Sequence, residues 1–372
     1  MKIVHVVTLI SPEGAYGGPV RVALNQLGEL QKQGHEVLLV ASYRGYLPSQ
    51  VPKFIDGVPV SLFPAVTFSR KLGFAGTISP RMILALPKIF RNFDVIHMHF
   101  ARDLVVLPAG IFATLNRKKS VFIQTHGMID ESNSQLAHII DWLMTKRVMK
   151  RSRRVFYLTD VECASLLHLF PFIGCKIHYL PNAVPTAAIV SPEESDVVEF
   201  IFLARLQSRK NPDVFVHAAK LRIENGSKAR YTVVGPDEGM GKMVDDLIRE
   251  AATSMISREA AVAMTAASLR IGRADVYVLP SVNEPFPMSV LEALAVGVPV
   301  LITESNGLAD FVRQANSGII VEPTADSVAK AMKIMEDDAA LRSLYGSNAT
   351  KLAQDEFSMS KVGSQLIANY GQ

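Results

Sequence analysis

Short apolar runs punctuate the first half of the chain: KIVHVV (2–7), EVLLVA (36–41), VSLFPA (60–65), DVIHMHF (94–100), SVFIQTH (120–126), RVFYLT (154–159) and KIHYL (176–180). Runs of this kind, rich in β-branched residues, predict strands, and helix-like stretches lie between most of them. Strands that alternate with helices imply a parallel sheet covered on both faces. The segment PNAVPTAAIVSPEESD (181–196) is rich in Pro, Ser and acid, has little periodicity and predicts a linker. Beyond it the pattern restarts with VEFIFLA, RYTVVG, DVYVLP, PVLITE and GIIVEP. The expectation is an α/β protein of two doubly wound domains in series, 1–182 and 183–372.

Length agrees with that division, because 372 residues exceed the size at which single cores stop growing. A composition of 49% hydrophobic and 20% charged residues is that of a globular protein and excludes a disordered chain. The opening MKIVHVV enters a strand pattern directly, so no export signal is expected. The apolar run LVVLPAGIFATL (104–115) is too short to span a bilayer and predicts a buried helix. Cys163 and Cys175 form neither a disulfide framework nor a metal-type pair; two free thiols in a reducing cytoplasm are expected.

Charge is unevenly shared. Residues 1–185 carry a formal +10 and the remainder −6, within a total of +4. Much of the excess lies in NRKK (116–119) and KRVMKRSRR (146–154), the latter ending a predicted helix that contains Trp142. Two readings stay open for Lys146, Arg147, Lys150 and Arg151: a patch for an anionic membrane surface, or a solvated helix end where cations are favoured. Nucleic acid is not expected, since no helix-turn-helix, aromatic RNA-binding signature or zinc pattern accompanies the charge.

The chemistry concentrates in NEPFPMSVLEALAVGVPV (283–300), which sets Glu284 and Glu292 on either side of a Pro-Phe-Pro-Met turn. With DVYVLP as a parallel strand and PMSVLEALA as the next helix, the turn lies at the carboxyl end of a strand, where open α/β sheets bind ligands. Pro287 suits the first helical position, and the amides of Met288, Ser289 and Val290 are left to face an anion such as a phosphate. Glu292 lies near enough to that cradle to accept hydrogen bonds from a ribose on the same diphosphate. His97 and His99, two apart on one strand, face the same side. They are expected to pack at the edge of the site, not to hold a metal, since no third ligand is evident.

These residues and their order resemble the retaining glycosyltransferases of family 4, whose GT-B fold sets two Rossmann-like domains facing across a cleft. The resemblance runs through almost the whole chain. It rests on the Glu-x7-Glu motif with its flanking LPS and EALA, on YGGPVRVALNQLGELQKQGHEV (16–37), FLARLQSRKNPDVFVHA (202–218), QTHG (124–127), DVIHMHF and VVGPDEG (233–239). It implies a donor site for a nucleoside-diphosphate sugar, a UDP- or GDP-sugar, made by Gly17, Gly18, Arg205, Lys210, Gly235, Glu284, Phe286, Pro287, Met288, Ser289, Val290 and Glu292. Pro19 would open a helix behind the glycines. Arg205 and Lys210 would neutralise the leaving diphosphate, Glu284 would bind the donor sugar, and His126 would lie beside the reacting carbon. These four are the expected catalytic residues. No metal or other cofactor is expected, because the two cations can replace a bound Mg²⁺.

The resemblance also implies that a last helix, about 357–372, packs back on the first domain. Two departures stand out: Pro-Phe-Pro replaces the usual Gly-Phe-Gly, and no strand is obvious in TSMISREAAVAMTAASLRIGRAD. The expected reaction is transfer of a hexosyl group to a hydroxyl acceptor, most simply a lipid-linked saccharide of an envelope glycan, capsule or exopolysaccharide, at the inner membrane face. A small soluble acceptor and a sugar-nucleotide 2-epimerase of the same architecture are the alternatives.

Overall fold

The structure, a computed structural model, describes residues 1–12, 17–67, 76–116, 118–129, 131, 135–185, 197–263 and 266–371. Most of the sequence-predicted linker, 186–196, lies outside them. The chain divides into two compact units, Met1–Asn182 with Met359–Gln372, and Ala183–Ser358.

The first unit runs β1 (Lys2–Ile10), α1 (Gly17–Lys32), β2 (Glu36–Tyr43), β3 (Phe54–Ile55), β4 (Val58–Pro64), β5 (Val66–Thr67), β6 (Thr77–Ile78), α2 (Pro80–Arg91), β7 (Val95–His99), α3 (Val106–Leu115), β8 (Ser120–Gln124), α4 (Gln135–Ile140), α5 (Lys146–Arg151), β9 (Arg154–Tyr157), α6 (Asp160–Leu169) and β10 (Ile177–Tyr179). The second has β11 (Glu199–Leu203), α7 (Pro212–Glu224), β12 (Arg230–Val234), α8 (Gly241–Ala251), β13 (Ile256–Glu259), α9 (Ala267–Gly272), β14 (Val276–Leu279), α10 (Met288–Ala295), β15 (Val300–Thr303), α11 (Ala309–Ala315), β16 (Gly318–Val321), α12 (Ala325–Asp337) and α13 (Ala339–Glu356). The last helix, α14 (Met359–Tyr370), belongs to the first unit.

The first sheet has the order β10-β9-β8-β7-β1-β2-β4-β3 and is parallel apart from the short β3. Side chains alternate between its two faces. One face sends Val4, Val6, Ile96, Met98, Val121, Ile123 and Val155 into an apolar core with α2, α3 and α5. The intervening positions put His5, His97, His99, Phe122, Gln124 and Phe156 on the other face, all buried. There Tyr370 of α14 packs on Phe122, with ring centroids 4.8 Å apart.

The second sheet has the order β13-β12-β11-β14-β15-β16 and is wholly parallel. In units of its own strands this is 3-2-1-4-5-6, so the direction of winding reverses between β11 and β14. The same reversal occurs in the first sheet between β1 and β7. The carboxyl ends of those two strand pairs are where each sheet can admit a ligand.

Three sequence expectations need correction. A strand does exist in the segment where none was obvious: β13, ISRE, which pairs on β12 alone at the sheet edge and so needs no long apolar run. Residues 104–115 are not buried throughout, since Phe112 is 38% and Leu115 61% exposed on α3. His97 and His99 are enclosed within the unit at 0% and 1% exposure, because the ring of Tyr370 packs against His97 and that of His126 stacks on His99.

The close approach of β11 and β12 depends on one glycine. Gly235, just past β12, has φ +153°, and a Cβ on it would stand 1.9 Å from the carbonyl oxygen of Ala204. Its absence lets the following loops join: Leu206 N–H donates to the Pro236 carbonyl (2.8 Å), and Glu238 and Met240 N–H donate to the Leu206 carbonyl (3.0 and 3.1 Å). We expect Gly235→Ala to force these loops apart and destabilise the fold by about 1–3 kcal/mol, read as a lower midpoint in urea unfolding. An unchanged midpoint would mean that the loops relax at no cost.

Candidate functional site

At the reversal point of the second sheet, the loop after β11 and the loop after β14 are sewn together. Asn211, held in the left-handed region at φ +52°, donates from Nδ2 to the Pro280 carbonyl (2.8 Å), and Val282 N–H donates to the Arg209 carbonyl (2.9 Å). This stitching carries Lys210, in a single 3-10 turn, to Glu284. Lys210 Nζ donates to Glu284 Oε2 at 2.7 Å, and the side chains are only 8% and 10% exposed. Arg209 stands 3.7 Å from the same oxygen. Burial pulls the ammonium of Lys210 below the usual lysine range, opposed by the Glu284 charge and hydrogen bond. Glu284 is also fixed through its backbone, whose carbonyl accepts from Gly307 N–H (2.8 Å).

Helix α10 begins at Met288, and Pro287 is its N-cap in extended conformation, ψ 122°. The sequence expectation placed Pro287 at the first helical position; the preceding Phe286 is drawn into the core instead, which turns the chain one residue later. The amides of Met288, Ser289 and Val290 are therefore the first three of the helix and have no intrahelical acceptor. The side chain of Val290 is fully buried, so only its backbone is available to a ligand. The ring of Phe286 packs edge-on against Phe357 at 5.6 Å, so its side chain serves packing. Tyr277 locks the turn in place: its hydroxyl lies 3.0 Å from the Leu203 carbonyl and 2.7 Å from Ser289 Oγ. Glu292 is 6% exposed on the same helix.

Arg205, at the end of β11, makes a fork to Glu238, with Nη1 3.1 and 3.0 Å from the two carboxylate oxygens. Gly235 lies beneath this loop against Ala204. The edge thus brings together Arg205, Lys210, Glu284 and the start of α10. Sequence reasoning missed Glu238, although it stands in the quoted VVGPDEG, and it missed three donors. Gln207 Nε2, Ser281 Oγ and Asn306 Nδ2 are buried without a hydrogen-bond partner in the loops after β11, β14 and β15. Unpaired buried donors at a ligand-binding edge are available for a bound group.

The first unit builds its edge differently. Gly17 and Gly18 start α1, two residues before Pro19, so Pro19 does not open the helix as the sequence implied. Gly18 is exposed, with open space where a Cβ would stand. His126 follows β8 and is partly exposed, with φ +53°, and Gly127 follows at φ +69°. This turn is gripped by Glu162: Thr125 Oγ1 donates to Oε1 (2.6 Å), Gly127 N–H donates to the same oxygen, and Leu158 N–H donates to Oε2 (2.7 Å). Burial raises the proton affinity of Glu162, and these hydrogen bonds counter it. The run TDVE looks like a helix cap in the sequence, and Thr159 does cap α6, but the carboxylate is spent on the neighbouring turn. Asp103, equally buried, accepts from Thr8 Oγ1 (2.6 Å) and from the amides of Val105 and Val106 (both 2.8 Å). His97 and His99 stack on one another at 5.0 Å, and no group of three or more metal-type ligands occurs among the described residues.

Residues 16–188 match the family model Glycosyltransferase Family 4, and residues 187–352 match Glycosyl transferases group 1. The chain is 25% identical over 367 residues to the UDP-Gal:alpha-D-GlcNAc-diphosphoundecaprenol alpha-1,3-galactosyltransferase of Escherichia coli, covering 92% of this chain and 89% of that one. It is 28% identical over 402 residues to the D-inositol 3-phosphate glycosyltransferase of Kineococcus radiotolerans, covering 94% and 90%. Among solved structures, Anabaena HepE in complex with UDP aligns over 100% of both chains with a TM-score of 0.76 at 14% identity. Two family matches that together run from residue 16 to residue 352, on two parallel sheets each wound both ways from a central strand, place this chain in the GT-B glycosyltransferases of family 4, group 1.

Proposed function

We propose that this glycosyltransferase moves a hexosyl group from a UDP- or GDP-sugar to a hydroxyl acceptor with retention of configuration, and that the acceptor is a lipid-linked saccharide of an envelope glycan. The observation that carries the reading is the buried Lys210–Glu284 pair beside Arg205 and the start of α10, at the reversal point of the second sheet. Arg205, Lys210 and the amides of Met288, Ser289 and Val290 would stabilise the departing diphosphate. Glu284 would hold the sugar hydroxyls and Glu292 the ribose. The phosphate oxygen itself would take the acceptor proton, in a front-face reaction that needs no metal because two cations already meet the charge.

A covalent scheme with a carboxylate nucleophile is less well supported in the first unit. There the buried Asp103 and Glu162 each spend both oxygens on hydroxyl and backbone donors. His126 takes the part that the family resemblance gives it, beside the reacting sugar. The name of the Escherichia coli relative favours a diphospholipid acceptor, whereas that of the Kineococcus relative keeps a soluble phosphorylated acceptor in view.

The basic helix also supports a membrane-borne acceptor. Helix α4, a π-helical stretch (Asp141–Thr145) and α5 form one continuous helix. Ile139, Trp142 and Leu143 on it are more than half exposed, and exposed Lys146, Arg147, Lys150 and Arg151 follow. Thr145, Val148 and Met149 are buried opposite them. An apolar patch with an aromatic ring beside cations suits an anionic bilayer surface. Arg102 anchors the helix by a two-pronged bond to Asp141, with both contacts at 2.9 Å.

Thermal-shift measurements of the purified protein with UDP, GDP, ADP and their sugars test the donor. Stabilisation by one nucleotide family is expected, and no shift with any would remove the donor assignment. With that donor and an isolated acceptor, NMR of the product should show the anomeric configuration of the donor sugar; inversion would exclude the front-face scheme. Glu284→Gln and Lys210→Ala should each lower turnover at least about 100-fold. Each also leaves a buried charge without its full partner, so stability should fall by about 3–5 kcal/mol. Near-normal turnover in either folded variant would take that residue out of the mechanism. Replacing Lys146, Arg147, Lys150 and Arg151 together by Ser should weaken binding to anionic vesicles, with the largest difference at low salt. Equal binding at every salt concentration would leave the cations as a solvated helix end.

A further inference from the structure

The loop that carries His126 is held from outside itself. Residues 125–128 form a β-turn, closed by Met128 N–H donating to the Thr125 carbonyl (2.9 Å). Its two central residues, His126 and Gly127, both have positive φ, +53° and +69°. Glycine takes that conformation without strain, whereas a histidine stays in it only where its surroundings hold it. Here the hold comes from one carboxylate oxygen. Glu162 Oε1 accepts from Thr125 Oγ1 (2.6 Å) and from Gly127 N–H, so it ties the residues on both sides of His126. Glu162 Oε2 accepts from Leu158 N–H (2.7 Å), just past the end of β9, and this fixes the carboxylate to the sheet.

All three partners donate toward Glu162, so the clamp needs a group with two acceptor atoms and no N–H or O–H of its own. Among side chains only an ionised carboxylate offers that. The Thr125 hydroxyl has a second acceptor in the Phe156 carbonyl, but at 3.3 Å, against 2.6 Å to the charged oxygen. A glutamine in this place would set its NH2 against Leu158 N–H when turned one way and against Gly127 N–H when turned the other.

The local needs of α6 do not explain the placement. A glutamate at the third position of a capped helix can reach back to the N–H of the cap residue, and Thr159 does cap α6 by accepting from Glu162 N–H (3.2 Å). The carboxylate goes to the turn after β8 instead. It is 6% exposed, makes no ion pair among the described residues, and burial raises its proton affinity. A carboxylate taken out of water without a counter-ion is costly. What it secures is the turn at 125–128, and what that turn presents is the ring of His126. Nε2 of the ring lies 2.7 Å from His99 Nδ1, and the two rings stack at 5.0 Å. With the backbone tied on both sides and one ring nitrogen met by His99, the ring of this partly exposed residue has a single place.

We infer that Glu162 is a positioning residue for the transfer: through Thr125 and Gly127 it holds the His126 ring where the reacting sugar would meet it. The part of His126 beside the sugar rests on the glycosyltransferase reading; the hold on its turn does not.

Amide NMR of the full-length deuterated protein tests the hold without any substrate. The Gly127 amide proton should resonate well downfield, as an N–H bonded to a charged oxygen does, and should exchange slowly. An ordinary shift with fast exchange would overturn the clamp. Glu162→Met keeps the length of the side chain and removes both acceptors. It should return the Gly127 signal to the ordinary range and lower kcat about 10- to 100-fold, the effect of a misplaced group beside the reaction, with the donor KM changed less than about twofold. An unchanged kcat in the folded variant would refute the positioning role. A double-mutant cycle separates that role from support of the fold. In a His126→Gly background, where the ring is gone and glycine accepts the positive φ, Glu162→Met should lower kcat by no more than about twofold further. A second drop of full size would show that Glu162 acts on the fold or on another group, and the inference would fall. Where Glu162→Met does not fold, Glu162→Gln takes its place, with a smaller loss of kcat that should also vanish in the His126→Gly background; a loss that persists there counts against the inference in the same way. Absence of turnover with every donor tried would sink the reaction reading and the positioning role together, while the Gly127 signal would still decide whether the clamp exists.

Discussion

An ammonium and a carboxylate withdrawn from water each lose several kcal/mol of solvation, and they recover it only if they meet in good geometry. Lys210 and Glu284 meet at 2.7 Å although 73 residues separate them in the chain. Their meeting depends on β11 and β14 being neighbours, which is a property of the strand order. The loops after those strands are then tied by Asn211 to Pro280 and by Val282 to Arg209. Gly235 admits the third loop, which carries Glu238 to Arg205. Remove the adjacency of β11 and β14, and the cations, the acid and the free amides of α10 no longer share an edge.

The first sheet has the same winding but stores different chemistry on its buried surface. Where the second unit concentrates charge at its edge, the first buries His5, His97 and His99 together, and burial lowers their proton affinity. Its buried acids Asp103 and Glu162 are likewise occupied, each by backbone amides and a threonine hydroxyl. Such groups orient their surroundings and are not free to react. The second unit is thus suited to stabilise an anion and the first to present fixed hydrogen bonds, which is the division that the proposed donor and acceptor roles call for.

Much of the fold was legible because strands buried on both faces must be apolar along their whole length. EVLLVA, VEFIFLA, RYTVVG and DVYVLP all became central strands for that reason. ISRE escaped because an edge strand carries polar residues without penalty. At the site, Glu284 was readable from a local motif, since it sits where a strand gives way to a loop, whereas Lys210 came only with the family resemblance. Glu162 was not, because TDVE has the form of an ordinary helix cap, and nothing within it reveals that β8 and β9 are adjacent and that the carboxylate will reach Thr125 and Gly127.

The sequence by itself determined the two α/β halves, the strand positions and the residue types at the strand ends, because hydrophobic period and turn chemistry are local. It did not determine pairings. That Tyr370 lies against His5 and His97, more than 270 residues away, was decided by where α14 packs, and so was the burial of those histidines. Burial, partner and proton affinity are properties of an environment assembled from distant segments, and only the tertiary structure assembles it.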